Sequence, residues 1–228
     1  MLSENQITAI EQKIGYIFKS KELLQTAFTH SSFAYSHNLE SNERLEFLGD
    51  SVLNYCTTRF LFDNFKFNEG ISSKLRAQIV SAEFVSSFIC NIGLEKFLLC
   101  DNFNPEKSTN VMGDLYEAII GAMLLDSNLE TCNKFIYESL KLSPKLVEEI
   151  HAKNRDYKTE LQEFLQQKGE LNLKYELKQK IGPAHNPVFT IQILIDNMPC
   201  ACASGRSKKE AENLAAEEAL KILKEGTK

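Results

Sequence analysis

Acidic residues recur at helical spacing in the decapeptide NERLEFLGDS. At roughly 100° per residue on a helix, Glu43, Glu46 and Asp50 lie within about 60° of one another. The apolar Phe47 and Leu53 flank these acids, which therefore do not form a broad solvated face. Carboxylates that lie so close repel one another unless a positive charge sits between them. The spacing indicates a site that binds a cation.

A second group of acids lies in a stretch that is otherwise apolar. Asp114 and Glu117 are the only charged residues from Gly113 to Leu125, and they stand about one helical turn apart. A helix that is apolar nearly all round is typical of a buried position. A buried carboxylate is costly unless it is paired with a cation or bound to a metal. Small neighbours such as Gly121 would allow another helix to approach closely.

If the two helices lie side by side, four carboxylates converge: Glu46, Asp50, Asp114 and Glu117. Oxygen ligands alone favour a hard cation such as Mg²⁺ or Mn²⁺. One such ion or a pair could activate water and stabilise an in-line displacement at phosphorus. Two alternatives stay open. The acids could hold a structural Ca²⁺, or the first group is a solvated face and the second pairs with lysine or arginine.

The elements that must position these acids are predicted to be helices. The first 150 residues contain long segments without proline, whose apolar residues recur at the spacings of helices packed on one another. We therefore predict an all-α N-terminal domain over residues 1–150. The predicted helical segments include Glu22–Phe28, with Ser20 as its cap, Asn42–Phe62, Ser72–Cys90 and Met112–Asp126.

The pattern changes after Asp156, where apolar and polar residues begin to alternate as in half-buried strands. We predict a small α-β-β-β-α domain over residues 156–225, joined to the first domain by a linker at residues 151–155. Its predicted elements are a helix at Thr159–Gln167, strands at 171–177, Val188–Ile195 and Pro199–Ser204, and a last helix from Ser207 to about Leu223.

Composition excludes several classes of protein. With 43% hydrophobic and 25% charged residues among 228, the chain is not wholly disordered. No segment reaches the roughly 20 apolar residues of a membrane span, and the first residues lack the features of a secretion signal. The six cysteines include no C-x-x-C pair. We expect reduced thiols in a cytoplasmic protein that has no membrane partner.

The net charge of −5 is unevenly distributed along the chain. Residues 1–154 carry 14 basic and 20 acidic groups, a net charge of −6, whereas residues 155–228 carry 12 and 11, a net charge of +1. The second part is not basic overall, so a surface for nucleic acid there must come from local clustering.

Two groups of side chains in the second domain suit RNA. A polar stripe on its first helix matches the ribose hydroxyls and base edges of the shallow RNA minor groove. A basic group begins the last helix, where the helix dipole already favours phosphate. For either group alone, a solvated surface is the plain alternative. The residues are Thr159, Gln162, Glu163 and Gln166 in the stripe, Arg206, Lys208 and Lys209 in the basic group, and His185 in the loop between two strands.

These segments resemble the ribonuclease III family in its bacterial order, with the nuclease domain first. NERLEFLGDS (42–51) is similar to the family's signature segment, and GDLYEAIIGA (113–122) is similar to its second acidic segment. THSS (29–32) and residues 69–77 also resemble family stretches. Residues 156–224 resemble a double-stranded-RNA-binding domain.

The resemblance implies a homodimer, formed through the catalytic domain, that hydrolyses phosphodiester bonds of double-stranded RNA. It implies products with 5′-phosphate and 3′-hydroxyl ends and short 3′ overhangs. Mg²⁺ would be the cofactor, with Mn²⁺ able to substitute, and no small-molecule cofactor is expected. Structured precursors of ribosomal RNA, and some messenger and transfer RNAs, would be the substrates.

Residue by residue, the resemblance makes Glu46, Asp114 and Glu117 metal ligands. It makes Asp50 and Glu117 the catalytic positions. Glu43 matches an acid outside the metal site, in the dimer cleft near the substrate. The positions that match RNA contacts are Thr159, Gln162, Glu163, His185, Lys208 and Lys209.

One departure from the family pattern concerns the last helix. Basic residues often follow the lysine pair there, whereas this chain has Glu210 and Glu212, so we expect somewhat weaker phosphate binding. A rival hypothesis is a regulator that binds double-stranded RNA and uses its helical half only to dimerise. The intact set of four acids argues against it.

Overall fold

The computed structural model describes residues 1–101, 104, 108–153, 155–169, 172–183 and 186–225. The chain divides into two compact units, Met1–His151 and Ala152–Lys228. In the described part of the chain, no helix combines the length and the apolar character needed to cross a membrane.

The first unit is helical, as the sequence predicts. The acids lie on two of its helices, α4 and α7, which pack on each other more extensively than any other pair of elements. Its helices are α1 Glu4–Ile14, α2 Lys21–Ala27, α3 Ser31–His37, α4 Glu43–Asn64, α5 Glu69–Ile79, α6 Ala82–Asn91, α7 Thr109–Asp126, α8 Leu129–Ser139 and α9 Pro144–Lys153, with a 3₁₀ turn at Glu95–Phe97.

Helix α7 is the centre of this unit. Its side chains Leu115, Ile119, Ile120 and Met123 have no exposed surface, and they point to different sides of the helix. The prediction of a buried helix is therefore confirmed. Because α7 is surrounded on most sides, its two acids are half-buried rather than fully exposed.

Two glycines allow α4 and α7 to cross with their backbones touching. A Cβ atom on Gly49 would lie 1.8 Å from the carbonyl oxygen of Glu117, and one on Gly121 would lie 2.1 Å from that of Leu45. Any larger residue would push the helices apart. The expectation that Gly121 permits a close approach is confirmed, and Gly49 is its counterpart on α4.

The segment Ser72–Cys90 is not one helix, which corrects the sequence interpretation. Helix α5 ends at Ile79, and Ser81 begins α6 as an N-cap, since its hydroxyl accepts a hydrogen bond from the Phe84 N–H at 3.3 Å. The same hydroxyl donates to the Gln78 carbonyl at 2.8 Å. A capping serine inside an apolar periodic stretch breaks the helix without glycine or proline.

The linker predicted at residues 151–155 begins within helix α9, which covers Pro144–Lys153. Val147, earlier in the same helix, is fully buried in the core of the first unit. The contact-based boundary falls after His151. The limits 1–150, 151–155 and 156–225 remain predictions.

The second unit has the order α-β-β-β-α that the sequence predicts. Its three strands form one antiparallel sheet in the order β1-β2-β3, and the turn between β2 and β3 has positive φ at Asp196 and Asn197. Leu161, Ile191 and the alanine-rich face of the last helix form its core. The elements are α10 Tyr157–Lys168, β1 Leu173–Ile181, β2 Val188–Ile195, β3 Met198–Gly205 and α11 Lys208–Glu225.

Candidate functional site

The crossing of α4 and α7 brings the predicted acids within electrostatic range of one another. Burial, together with the charges of Asp50, Asp114 and Glu46, raises the pKa of Glu117 to about 8. Burial also raises the pKa of Glu46, with Asp114, Glu43 and Asp50 adding to the effect. The neighbouring acids therefore destabilise the charged forms of Glu46 and Glu117, as expected of a site that receives a cation.

Asp114 is affected by burial and by a histidine. Burial raises its pKa, whereas the charge of His30 and a backbone hydrogen bond act in the opposite direction. In the described part of the chain, no lysine or arginine acts on the pKa of Glu46, Asp114 or Glu117. The alternative in which basic side chains neutralise these acids therefore has no partner among the described residues.

Asp50 and Glu43 each accept a hydrogen bond from a nearby polar side chain. One donor lies on α4 and the other in the loop before it. The Asn54 amide donates to Asp50 Oδ1 at 2.7 Å and to the Asp50 carbonyl at 3.0 Å. The Ser41 hydroxyl donates to Glu43 Oε2 at 3.0 Å. Asp50 and Glu43 are exposed at the edge of the site, whereas the other three acids are half-buried.

The donor set fits a hard divalent cation in kind, since it consists of carboxylate oxygens whose mutual repulsion a positive charge would relieve. As the side chains stand, no group of three or more His, Cys, Asp or Glu residues in the described ranges is gathered closely enough to hold an ion. The acids are thus electrostatically coupled without forming a closed coordination shell. The residues that would hold an ion are Glu46, Asp114 and Glu117.

Sequence reasoning did not single out two side chains at this site, Asn54 and His30. Asn54 follows Asp50 by one helical turn, a spacing at which side chains meet, so a search for polar neighbours at four residues could have found it. His30 lies in the segment THSS between α2 and α3, and only the folded chain brings it near Asp114.

The polar stripe of the second unit is exposed on α10, as predicted. Thr159, Gln162 and Glu163 all face solvent. Asp156 is the N-cap residue of this helix. The Thr159 hydroxyl donates to Asp156 Oδ2 at 2.9 Å, and the Thr159 N–H donates to Asp156 Oδ1 at 3.1 Å. His185 lies outside the described residues.

The basic group is exposed at the start of α11. Lys208 and Lys209 face solvent, and Lys208 Nζ lies 4.0 Å from Glu212. Ser207 caps the helix, since its hydroxyl accepts from the Glu210 N–H at 3.1 Å, and the Glu210 carboxylate accepts in turn from the Arg206 N–H at 2.7 Å. The two acids that depart from the family pattern thus have local structural roles.

A polar network ties α10 and α11 together. The Asn213 side chain accepts from the Tyr157 N–H at 2.9 Å and donates to the Arg155 carbonyl at 2.8 Å. Lys158 Nζ donates to Glu212 at 2.7 Å. The start of α10 is therefore fixed against α11, which sets the spacing between the polar stripe and the lysine pair.

Comparison with known families agrees with this architecture. Residues 20–143 match the family model described as Ribonuclease-III-like, and residues 157–223 match the model described as Double-stranded RNA binding motif. The chain is 40% identical over 223 residues to Ribonuclease 3 of Bacillus cereus, covering 94% of this chain and 90% of the relative. Ribonuclease 3 of Bacillus anthracis matches with the same identity and coverage.

Solved structures agree for the helical unit. A nuclease domain of ribonuclease III from Campylobacter jejuni is 36% identical, with a TM-score of 0.55, and the match covers 59% of this chain and 96% of that one. A second structure of the same domain gives 35% identity and a TM-score of 0.55. A helical nuclease domain followed by a double-stranded-RNA-binding domain defines the class. The chain belongs to the ribonuclease III family of double-stranded-RNA endoribonucleases.

Proposed function

We propose that the chain is a metal-dependent endoribonuclease whose site is the group of four carboxylates at the crossing of α4 and α7. The observation that carries this proposal is that burial and mutual repulsion raise the pKa of Glu46 and Glu117, with no lysine or arginine of the described chain acting on them. Glu46, Asp114 and Glu117 would hold Mg²⁺, with Mn²⁺ as a substitute. When bound, the ion lowers the pKa of a water molecule and neutralises charge at phosphorus.

The chain's own residues position the carboxylates of the site. The contact of Gly49 with the Glu117 backbone fixes the distance between the helices that carry the acids. Asn54 orients the carboxylate of Asp50, the acid that we assign with Glu117 to catalysis. Asp50 is exposed and therefore open to a phosphodiester backbone. Glu43, exposed at the edge of the site, would face the substrate rather than the ion.

We assign recognition of the duplex to the second unit. Its exposed Thr159, Gln162 and Glu163 would contact the minor groove, and Lys208 and Lys209 would contact phosphates. The family match over residues 157–223 supports this role. The shape of the A-form helix over roughly 16 base pairs, rather than base sequence, would be what the module reads. His185 belongs to the same proposal.

We propose a homodimer formed through the helical unit. Phe47, Tyr55 and Phe62 are 79%, 52% and 73% exposed, and all three lie on one side of α4. Such an exposed apolar group is typical of a protein interface. The Campylobacter jejuni structure is described as showing flexibility in its region involved in dimer formation, which supports a dimer here. Two sites in one dimer would leave short 3′ overhangs, with 5′-phosphate and 3′-hydroxyl ends.

We propose a cytoplasmic protein that acts on structured RNA precursors. All six cysteines are free thiols, as expected in a reducing cytoplasm. Structured precursors of ribosomal RNA, and some messenger and transfer RNAs, would be the substrates. Residues 1–150 would form the catalytic domain, 151–155 the linker and 156–225 the RNA-binding domain.

The test compares a labelled RNA duplex with its single strand, each incubated with the protein and Mg²⁺, Mn²⁺, Ca²⁺ or EDTA. We expect cutting of the duplex alone, in Mg²⁺ or Mn²⁺ and not in EDTA. Binding of the duplex without cutting under every condition would favour the regulator. If the metal raises thermal stability while the rate of cutting stays the same in EDTA, the acids hold a structural ion instead.

A further inference from the structure

Glu212 lies between the two helices of the second unit that carry its RNA-binding groups. Its Oε2 accepts a hydrogen bond from Lys158 Nζ of α10 at 2.7 Å, and its Oε1 lies 4.0 Å from Lys208 Nζ on its own helix. The Glu212 side chain is 15% exposed, whereas that of Lys208 is 64% exposed. One carboxylate therefore faces two cations, and its close contact is with Lys158.

Lys158 lies next to the polar stripe of α10. It directly precedes Thr159 and stands four residues before Gln162, so its side chain borders the exposed stripe on the same helix. Its ammonium group also lies 4.7 Å from the centre of the Tyr175 ring. The Lys158 side chain is still 38% exposed, and its stem is flexible, so the ammonium group can reach solvent once Glu212 releases it.

Glu210, the other acid near the start of α11, has a different environment. Its carboxylate accepts from the Arg206 N–H at 2.7 Å, and within the described ranges it forms no ion pair with a lysine or arginine. Its charge therefore acts on the backbone at the start of the helix. Glu212, by contrast, binds a cation that borders the RNA-binding groups.

We propose that Glu212 limits the affinity for duplex RNA by withholding Lys158 from the phosphate backbone. This inference rests on the proposed role of the second unit in duplex recognition. While Glu212 holds the Lys158 ammonium group, that charge neutralises an acid of the module instead of a phosphate. Without the carboxylate, Lys158 becomes a further cation between the polar stripe and Lys208. Each additional contact between a lysine and a phosphate strengthens binding and makes it more sensitive to salt.

A purely structural ion pair would behave differently. Asn213 joins the same two helices independently, since its side chain accepts from the Tyr157 N–H at 2.9 Å and donates to the Arg155 carbonyl at 2.8 Å. Loss of the pair between Lys158 and Glu212 should therefore leave α10 in place against α11. If the pair were needed to hold the helices, its loss would weaken duplex binding instead of strengthening it.

The test measures the affinity of the full-length chain and its variants for an RNA duplex, in EDTA and at several salt concentrations. Glu212→Gln should bind about 3–10-fold more tightly at low salt, and the slope of log K against log salt should become steeper by about one. Lys158→Gln breaks the same ion pair without releasing a cation, so it should bind no more tightly than the wild-type chain. The double variant should lose the gain and bind within about twofold of the wild-type chain.

Glu217→Gln is the matched control, because it removes the same charge from α11 at a pair with Lys221 of 3.0 Å. Its slope should be that of the wild-type chain. Equal or weaker binding by Glu212→Gln, a gain that persists in the double variant, or an equal gain in Glu217→Gln would each overturn the proposal. If the wild-type chain does not bind the duplex at all, the proposed recognition by the second unit fails as well.

A second measurement begins with the wild-type chain and does not depend on the folding of a variant. Acetylation of lysine side chains, read by mass spectrometry, shows which ammonium groups a bound duplex covers. The duplex should protect Lys208 and Lys209 and leave Lys158 as reactive as in the free protein, whereas in Glu212→Gln it should protect Lys158 too. Protection of Lys158 in the wild-type complex would overturn the proposal, because that lysine would already contact phosphate.

Discussion

In the helical unit no lysine or arginine of the described chain acts on the pKa of Glu46, Asp114 or Glu117, whereas in the smaller unit one acid on α10 and one on α11 are paired with basic side chains. Glu160 binds both Arg155 and Lys224, and Glu212 binds Lys158. The charges of these two acids are thus balanced within the fold. Repulsion in the helical unit is left for a ligand to relieve.

This difference shows how each unit can work. A rigid crossing of two helices holds like charges together, so one ion can have a large effect there. The RNA-binding surface consists of exposed groups whose individual contributions are small and add up over many contacts. We therefore expect substitutions at the crossing to have large, all-or-none effects and substitutions on the RNA-binding surface to have graded ones.

The largest effect is expected from Gly49→Ala. The new Cβ would lie 1.8 Å from the Glu117 carbonyl oxygen, so α4 must move away from α7. We expect a loss of about 3 kcal/mol or more in the free energy of unfolding, together with loss of cutting. Urea unfolding and a duplex cleavage assay measure both.

Gly70→Ala is the control for that experiment. A Cβ on Gly70 would meet no atom closer than 3.7 Å, and alanine favours helix, so stability should change by no more than about 1 kcal/mol. If Gly49→Ala keeps the stability and the cutting activity that Gly70→Ala keeps, the close crossing of α4 and α7 is not needed to position the acids.

A buried acid outside the site gives a second comparison. Asp126 is 9% exposed and accepts from the Tyr16 hydroxyl at 2.6 Å, the Lys19 N–H at 2.9 Å and the Ser20 N–H at 2.8 Å. Burial alone would raise its pKa, but these hydrogen bonds bring it below the ordinary value of 3.8. Its charged form therefore stabilises the fold above that value, and the stabilisation is lost as the pH falls through the folded pKa.

We expect Asp126→Asn to lower the free energy of unfolding by about 1–3 kcal/mol at neutral pH, because backbone donors lose a charged acceptor. The difference from the wild-type chain should shrink in acid, which unfolding curves at several pH values would measure. The response of the melting temperature to Mg²⁺ should not change. If Asp126→Asn loses the Mg²⁺ response, Asp126 and the four acids of the site do not act independently, which would contradict the proposed difference between them.

The smallest effects are expected on the RNA-binding surface. Lys208→Ala and Lys209→Ala should each weaken duplex binding for all sequences and reduce the slope of log K against log salt by about one. Lys221→Ala, at the far end of α11 and paired with Glu217, should leave the slope unchanged. Binding titrations at several salt concentrations measure this, and unchanged slopes in both lysine variants would remove them from the interface.

Much of the fold could be predicted because its signals are local. The apolar residues of α7 and the β-branched run of β2 determine element type by themselves, and Gly121 indicates a close approach before the partner helix is known. The break between α5 and α6 was missed because Ser81 can cap a helix or continue one. Only the tertiary packing of both helices decides between these states.

For the site, the spacing of acids on one helix could be predicted, but their neighbours could not. Asp50 is a candidate because it follows Glu43 and Glu46 at helical spacing, and Glu117 is one because charge in an apolar pattern is conspicuous. His30 approaches Asp114 through a turn far away in sequence, and no periodic pattern contains that information. Lys208 and Lys209 were found as a pair, whereas the hydrogen bond from Lys158 to Glu212 beside them required the folded module.

The most direct test of the central claim is Glu117→Gln, with Glu138→Gln on α8 as the control. Duplex cleavage, duplex affinity and the melting temperature with and without Mg²⁺ would be measured for both. Glu117→Gln should abolish cutting and keep duplex affinity within about threefold. Without metal and above about pH 8, where Glu117 is charged, it should also melt higher than the wild-type chain, because a repelling charge is gone. Glu138→Gln should match the wild-type chain. Wild-type cutting by Glu117→Gln, or loss of duplex binding in the folded variant, would contradict the assignment of the four acids as the nuclease site.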